Sequence, residues 1–181
     1  QEIGGLVPRF AFSKFKINGR NWGVMLIEEA VNIHMIELAK IKASPTFKLI
    51  SDPAEGGYYY SANRHIAGKR LPKTFYDIPS MELIQASKAS GDDRIMMLYS
   101  YAHASLKKFH TGKLVSADVF DLKSLAGPLS LSMIWGGWHT LGPQNSRYYI
   151  NPYTLLIEPI TSDQSKIHRA TKDQMEDAPF P

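Results

Sequence analysis

The side chains with the widest chemical range in this sequence are six histidines, at positions 34, 65, 103, 110, 139 and 168. His103 and His110 flank Lys107 at spacings that place all three along one side of a helix. A base, an acid and a cation around a scissile phosphate are what a small nuclease or hydrolase needs, and these residue types supply them. Nothing else in their spacing is diagnostic. Metal chemistry has less to work with: there is no HExxH pattern and no cysteine, and Asp92-Asp93 is better explained as a helix cap. Gly56-Gly57 and Gly136-Gly137 lack the longer spacing and the following Lys-Ser/Thr of a phosphate-binding loop. His34 lies on an apolar stretch and reads as a hydrogen-bonded core or boundary residue. The sequence thus nominates no catalytic residue, no metal site and no cofactor.

Charge gives a more definite lead. The net charge of +4 is mild, but it is unevenly placed. Arg9, Lys14, Lys16 and Arg20 lie between Glu2 and Glu28 with no acid among them, and Arg64, Lys69, Arg70 and Lys73 lie between Glu55 and Asp77 in the same way. Two such zones on one face would attract the phosphates of nucleic acid or of anionic lipid headgroups. Solvated loops that keep the protein soluble are the plainer alternative. Tyr58, Tyr59 and Tyr60 are aromatic interface candidates, because three consecutive tyrosines in a strand cannot share one face. Trp138 is a fourth.

These residues need elements to hold them. With 181 residues, 44% hydrophobic and 21% charged, the chain has the size and balance of one globular domain with a real core. The absence of cysteine excludes disulfides. No apolar run approaches the roughly 18 to 20 residues that span a bilayer, so the expected protein is soluble or peripheral to a membrane. Residues 1–8 read as a flexible arm, 9–161 as a single globular domain, and 162–181 as a polar tail or frayed helix.

Within that domain, Phe10, Phe12, Phe15 and Ile17 form a strand whose parity changes. A bulge near Ser13 and Lys14, or cover on both faces, would reconcile them. Asn18-Gly19 signals a turn. Residues 21–42 have helical periodicity, with Asn21 as the N-cap, ending before Ser44-Pro45. Thr46 to Ser51 reads as a strand, 64–79 as a long irregular loop, and Ser80 to Ser90 as a short helix. The stretch from Asp92 to Phe109 reads as a helix, although Ile95, Met97, Tyr99 and Tyr101 also alternate like a strand. Gly112 ends it in either case. Pro128 to Trp138, with Leu129, Leu131, Met133 and Trp135 in alternation, reads as a central strand that receives the 21–42 helix. Arg147 to Ile150 and Thr154 to Pro159 read as strands, with Asn151-Pro152 between them favouring a sheet edge. The order implies an α+β domain: a mainly antiparallel twisted sheet packed against a few helices.

The succession of the aromatic, basic strand from Arg9 to Ile17, the helix through His34, the strand at Phe47 to Ile50, the basic loop around Gly68 to Pro72 and the strand Gly127 to Ile134 resembles the matrix proteins of rhabdoviruses. The likeness covers about two thirds of the chain. It departs from the family in having neither a Lys-rich N-terminal arm nor a Pro-Pro-x-Tyr motif in these residues. The resemblance implies a non-enzymatic viral structural protein, found in the virion and at the inner membrane surface or cytoplasm of the host. Its partners would be copies of itself, anionic lipid headgroups, and nucleocapsid or RNA. Two other classes stay open: a single-stranded nucleic-acid binder that stacks bases on Tyr58 to Tyr60, and a His-dependent nuclease using His103 or His110.

Overall fold

The computed structural model describes residues 6–50, 80–85, 91–135 and 145–161. The chain is a single α+β domain with two antiparallel sheets. Strands β1 (Phe10–Ile17) and β2 (Arg20–Glu28) form a two-stranded hairpin. After helix α1 (Ile33–Leu38) come β3 (Thr46–Ile50) and β4 (Ser80–Leu83), then α2 (Asp93–His110), α3 (Ser116–Val119), α4 (Leu122–Trp135), β5 (Arg147–Ile150) and β6 (Ile157–Ile160). The second sheet has the order β4-β3-β5-β6.

Successive side chains of a strand point to opposite faces, so each strand of this sheet feeds two layers. Phe47 and Leu49 of β3, Met81 of β4, Tyr148 and Ile150 of β5 and Ile157 of β6 meet Leu98, Ala102 and Leu106 of α2, Val119, Phe120, and Leu125 of α4. Phe47 stacks on Tyr148 with ring centroids 5.8 Å apart, and Phe120 meets Phe109 edge-on at 5.5 Å. Burial pushes the Tyr148 phenol up to about 12, so it stays neutral in ordinary buffers. On the other face Tyr149 and Ile160 pack with Met35 and Ile36 of α1 and with Leu6. Leu6 bridges to Ile160 and its carbonyl accepts from the Thr161 N–H at 2.9 Å, so the described end of the expected arm is anchored to the sheet.

Helix α2 is the long helix expected after Asp92. The Asp92 carboxylate accepts from the N–H groups of Arg94 and Ile95 at 3.0 and 3.2 Å. At the far end Gly112, at φ +70°, closes a Schellman motif: its N–H donates to the Phe109 carbonyl and that of Lys113 to Lys108, at 2.9 and 2.8 Å. The strand alternative for its first half is therefore excluded.

Three expectations are corrected. The 21–42 helix is divided: residues through Glu28 are strand β2, and only Ile33–Leu38 is helical, capped by Asn32, whose Oδ1 accepts from the Met35 N–H at 3.1 Å. Asn21 caps nothing helical; its Oδ1 accepts from the Gly23 N–H at 3.0 Å within the hairpin. The Asn-Gly turn decides the matter, because it folds the chain back so that its apolar run pairs with β1.

Second, the central strand from Pro128 is the body of helix α4, with the proline inside it. Leu125 and Ser132 are buried and Leu129 is partly buried against the same core, a four-then-three spacing that belongs to one helix face and outweighs the Leu-Ser alternation. An interior proline costs a helix about 3 kcal/mol relative to alanine, so packing on the sheet must hold α4 together. Third, the helix expected from Ser80 begins instead as β4, which pairs with β3 in the register Lys48↔Glu82; a ready sheet edge overrides local propensity. Residues 86–90, the 64–79 loop, the Gly136-Gly137 bend and the tail from Ser162 lie outside the described residues.

Candidate interaction surface on the hairpin

Asn18 and Gly19 both take positive φ, 49° and 76°, which makes a two-residue turn of type I′ between Ile17 and Arg20. The strands run in register from Phe10↔Glu28 to Phe15↔Gly23, then slip by one residue to Lys16↔Asn21. Trp22 is the extra residue of this bulge. There is no bulge near Ser13 and Lys14, so Phe12 and Phe15 stay on opposite faces; the slip comes later, with its extra residue on β2. At the open end the Glu29 N–H donates to the Arg9 carbonyl at 2.8 Å. The Arg9 guanidinium donates to both Glu29 carboxylate oxygens, at 2.7 and 3.1 Å. This paired contact raises the Arg9 pKa, and its hydrogen bonds hold the Glu29 carboxyl below its ordinary value.

The register sorts the hairpin into two faces. One carries Phe10, Phe12, Lys14 and Lys16 with Val24, Leu26 and Glu28; the other carries Ala11, Ser13, Phe15 and Ile17 with Arg20, Met25 and Ile27. Neither face is buried. Phe10 is 65% exposed, Phe12 71% and Trp22 60%, and Val24, Met25, Leu26 and Ile27 are exposed as well. The alternative of two covered faces is therefore corrected. Contiguous exposed apolar surface beyond about 300 to 600 Å² marks an interaction site on a monomer. Lys14, Lys16 and Arg20 stand exposed among these side chains, with no ion pair to another described residue.

Of the first basic zone, Arg9 is thus engaged by Glu29 at the hairpin base, whereas Lys14, Lys16 and Arg20 line the ribbon toward its tip. Arg64, Lys69, Arg70 and Lys73 lie outside the described residues, as do Tyr58, Tyr59, Tyr60 and Trp138. His103, Lys107 and His110 do share the solvent side of α2, all three exposed. They belong to a further acid-free stretch, from Arg94 to Ala117, that also exposes Lys108 and Lys113. His34 is hydrogen-bonded, its Nδ1 lying 3.2 Å from Glu37 Oε2, but it is exposed and not part of the core.

A cleft of about 560 Å³ opens beside the hairpin base, where Glu28, Glu29 and Val31 face Lys48, Glu82 and Arg147 of the sheet. Lys48 and Glu82 are paired at 2.9 Å, so the cleft mixes both signs of charge. Among the described residues no group of three His, Asp or Glu is placed to hold a metal ion, and no helix is long and apolar enough to cross a membrane.

The hairpin's lysines are legible in the sequence as charge, whereas its apolar side chains read there as a covered strand and an apolar helix face. The signal was present. Asn-Gly between two runs of apolar residues is a hairpin mark, and phenylalanines on both parities of an eight-residue strand cannot all face one core. The sequence matches no protein-family model and no curated protein.

Proposed function

We propose that this chain is a structural protein of the matrix type, which lies on anionic membrane surfaces and assembles with copies of itself. The observation that carries this reading is the hairpin, where Phe10, Phe12, Val24 and Leu26 share a face with Lys14 and Lys16. Aromatic and aliphatic side chains enter the headgroup boundary while lysines remain at the lipid phosphates, a combination suited to peripheral attachment. Each cation near an anionic surface contributes about 1 kcal/mol. Lys14 and Lys16, the cations of that face, therefore give attachment that is reversible and sensitive to salt, and several copies acting together would be needed for firm binding.

Co-sedimentation with vesicles tests this. Vesicles containing phosphatidylserine should retain the protein at low salt and release it as salt rises, whereas phosphatidylcholine alone should retain little. Replacing Lys14 and Lys16 together by glutamate should abolish retention. Equal binding to both kinds of vesicle, or no binding at low salt, removes the membrane reading.

A further inference from the structure

A further group of uncompensated cations lies on α2, in the acid-free stretch from Arg94 to Ala117. Arg94 is held by Asp92 at 3.5 Å, at the helix start. Lys107, Lys108 and Lys113, at the other end, are exposed and make no ion pair with another described residue. We infer that these three lysines hold the phosphates of a single-stranded nucleic acid, with one unpaired base stacked on Tyr101. The inference goes beyond the membrane reading and does not rest on it.

Backbone geometry assembles the lysines. Gly112, at φ +70°, turns the chain back, so that the Lys113 N–H donates to the Lys108 carbonyl at 2.8 Å. Lys113 is thereby fixed beside the last turn of the helix. Cations at a helix C-terminus ordinarily serve the helix itself, offsetting its dipole or bonding its last carbonyls. Here backbone N–H groups take those carbonyls: Lys107 accepts from Thr111 at 3.1 Å, Lys108 from Lys113, and Phe109 from Gly112 at 2.9 Å. The ammonium groups are left to face solvent. His103 and His110, also exposed, lie one turn to either side of Lys107 and add ring N–H donors for a phosphate.

Composition separates this surface from the hairpin. Lys14 and Lys16 share their face with exposed Phe12, Val24 and Leu26, whereas between His103 and Lys113 no large apolar side chain is exposed. A cationic surface without apolar anchors has nothing to place in a bilayer, and suits phosphates that stay in water.

Tyr101 favours one strand over two. It lies seven residues before Lys108, two turns along the same side of α2, with only Ala104 near the line between them. Tyr101 is 43% exposed. Its separation from Lys108 is about 10 Å along the helix, which matches about three nucleotides at about 3.4 Å per phosphate. A base can lie flat on that ring only when it is unpaired.

Fluorescence anisotropy of a labelled twelve-nucleotide oligouridylate, titrated with the full chain, tests the site. Binding is expected at low salt. The association constant should fall as salt rises with a log-log slope of about −2, since each lysine counts about 0.7 on a single strand. Lys107→Gln with Lys108→Gln should weaken binding at least about tenfold and bring the slope below about 1 in magnitude. Lys113→Gln, outside the helix, should act in the same direction, and decides the matter if the double change disturbs α2. Tyr101→Ala should weaken binding at least about fivefold at unchanged slope, with Tyr101→Phe within about twofold of the original. A duplex of the same length should be indifferent to Tyr101→Ala, and Lys14→Glu with Lys16→Glu should change strand binding by less than about threefold. No binding at low salt, a loss that follows Lys14 and Lys16 instead of the α2 lysines, or strand binding indifferent to Tyr101 overturns the proposal. The membrane reading fails separately: if it alone is wrong, vesicle retention is absent while strand binding keeps its dependence on Lys107, Lys108 and Tyr101.

Discussion

The hairpin and the four-stranded sheet are made from similar residues and meet opposite fates. Phe12 in β1 and Phe47 in β3 both lie on antiparallel strands flanked by apolar neighbours, yet Phe12 is 71% exposed and Phe47 is fully buried. The difference is the second layer. Phe47 has α2 and α4 over it, and α1 lies across the reverse face of the sheet; among the described residues, β1 and β2 pair only with each other. A strand supplies an apolar face, but an element stacked on that face must bury it.

The largest test of that contrast is a pair of truncations. Phe47→Ala removes a ring from a packed core and should lower the unfolding free energy by about 3 to 5 kcal/mol. Phe12→Ala should change it by less than about 0.5 kcal/mol, because nothing is packed against the ring. Urea titrations of the two variants provide the comparison. A loss from Phe12→Ala approaching that from Phe47→Ala would mean that the hairpin is covered after all, and the distinction between the regions would collapse.

A smaller and sharper test uses one substitution in both regions. Gly19 and Gly112 both take positive φ, 76° and 70°, and a Cβ built on either meets no atom within 4 Å. Alanine is therefore strained at each by backbone alone, on the order of 1 kcal/mol. Gly112 closes α2 against the core, so Gly112→Ala should lower the global urea midpoint. Gly19 turns the exposed hairpin, which is expected to open apart from the body, so Gly19→Ala should leave the midpoint in place and speed hydrogen exchange of the β1 and β2 amides several-fold. Equal shifts in the midpoint would show that hairpin and body unfold as one unit.

The parts legible in the sequence were those whose signals are local. Asp92 before an apolar run and Gly112 beyond it mark both ends of α2 by backbone chemistry that needs no neighbour. Asn18-Gly19 marks the hairpin turn equally well. The misread segments are those where a nonlocal partner decides between two periods. Residues Asn21 to Glu28 have apolar positions that suit a helix, and pairing with β1 makes them a strand. Leu129 to Trp135 alternate like a strand, and the sheet under α4 makes them part of a helix that buries Leu125 and Ser132 and half-buries Leu129. The cations of the hairpin were visible because charge does not depend on conformation. Their apolar companions were not, because hydrophobic residues are assigned to a core by default, and exposure is a property of what the rest of the chain fails to cover.

The base of the hairpin, where it joins the body, offers the gentlest test. Glu29 is held below its ordinary pKa chiefly by the side-chain hydrogen bonds from Arg9, then by the Arg9 N–H. A carboxylate whose folded value is depressed stabilises the native arrangement fully above its unfolded value, near 4.3. That contribution is lost as pH falls through the lower folded value; Arg9 stays charged throughout and adds no pH dependence of its own in this range. The Arg9 side chain is largely solvent-facing and that of Glu29 partly covered, so the effect is local and small. Amide chemical shifts of Arg9, Phe10 and Glu28 to Ala30 should hold steady through the ordinary glutamate titration range and move only below it. Glu29→Gln should remove that acid-dependent movement while leaving the shifts of Phe47, Tyr148 and Ile150 unchanged. Movement of the core signals together with those at the base would show that the clamp supports the whole domain and not the ribbon alone.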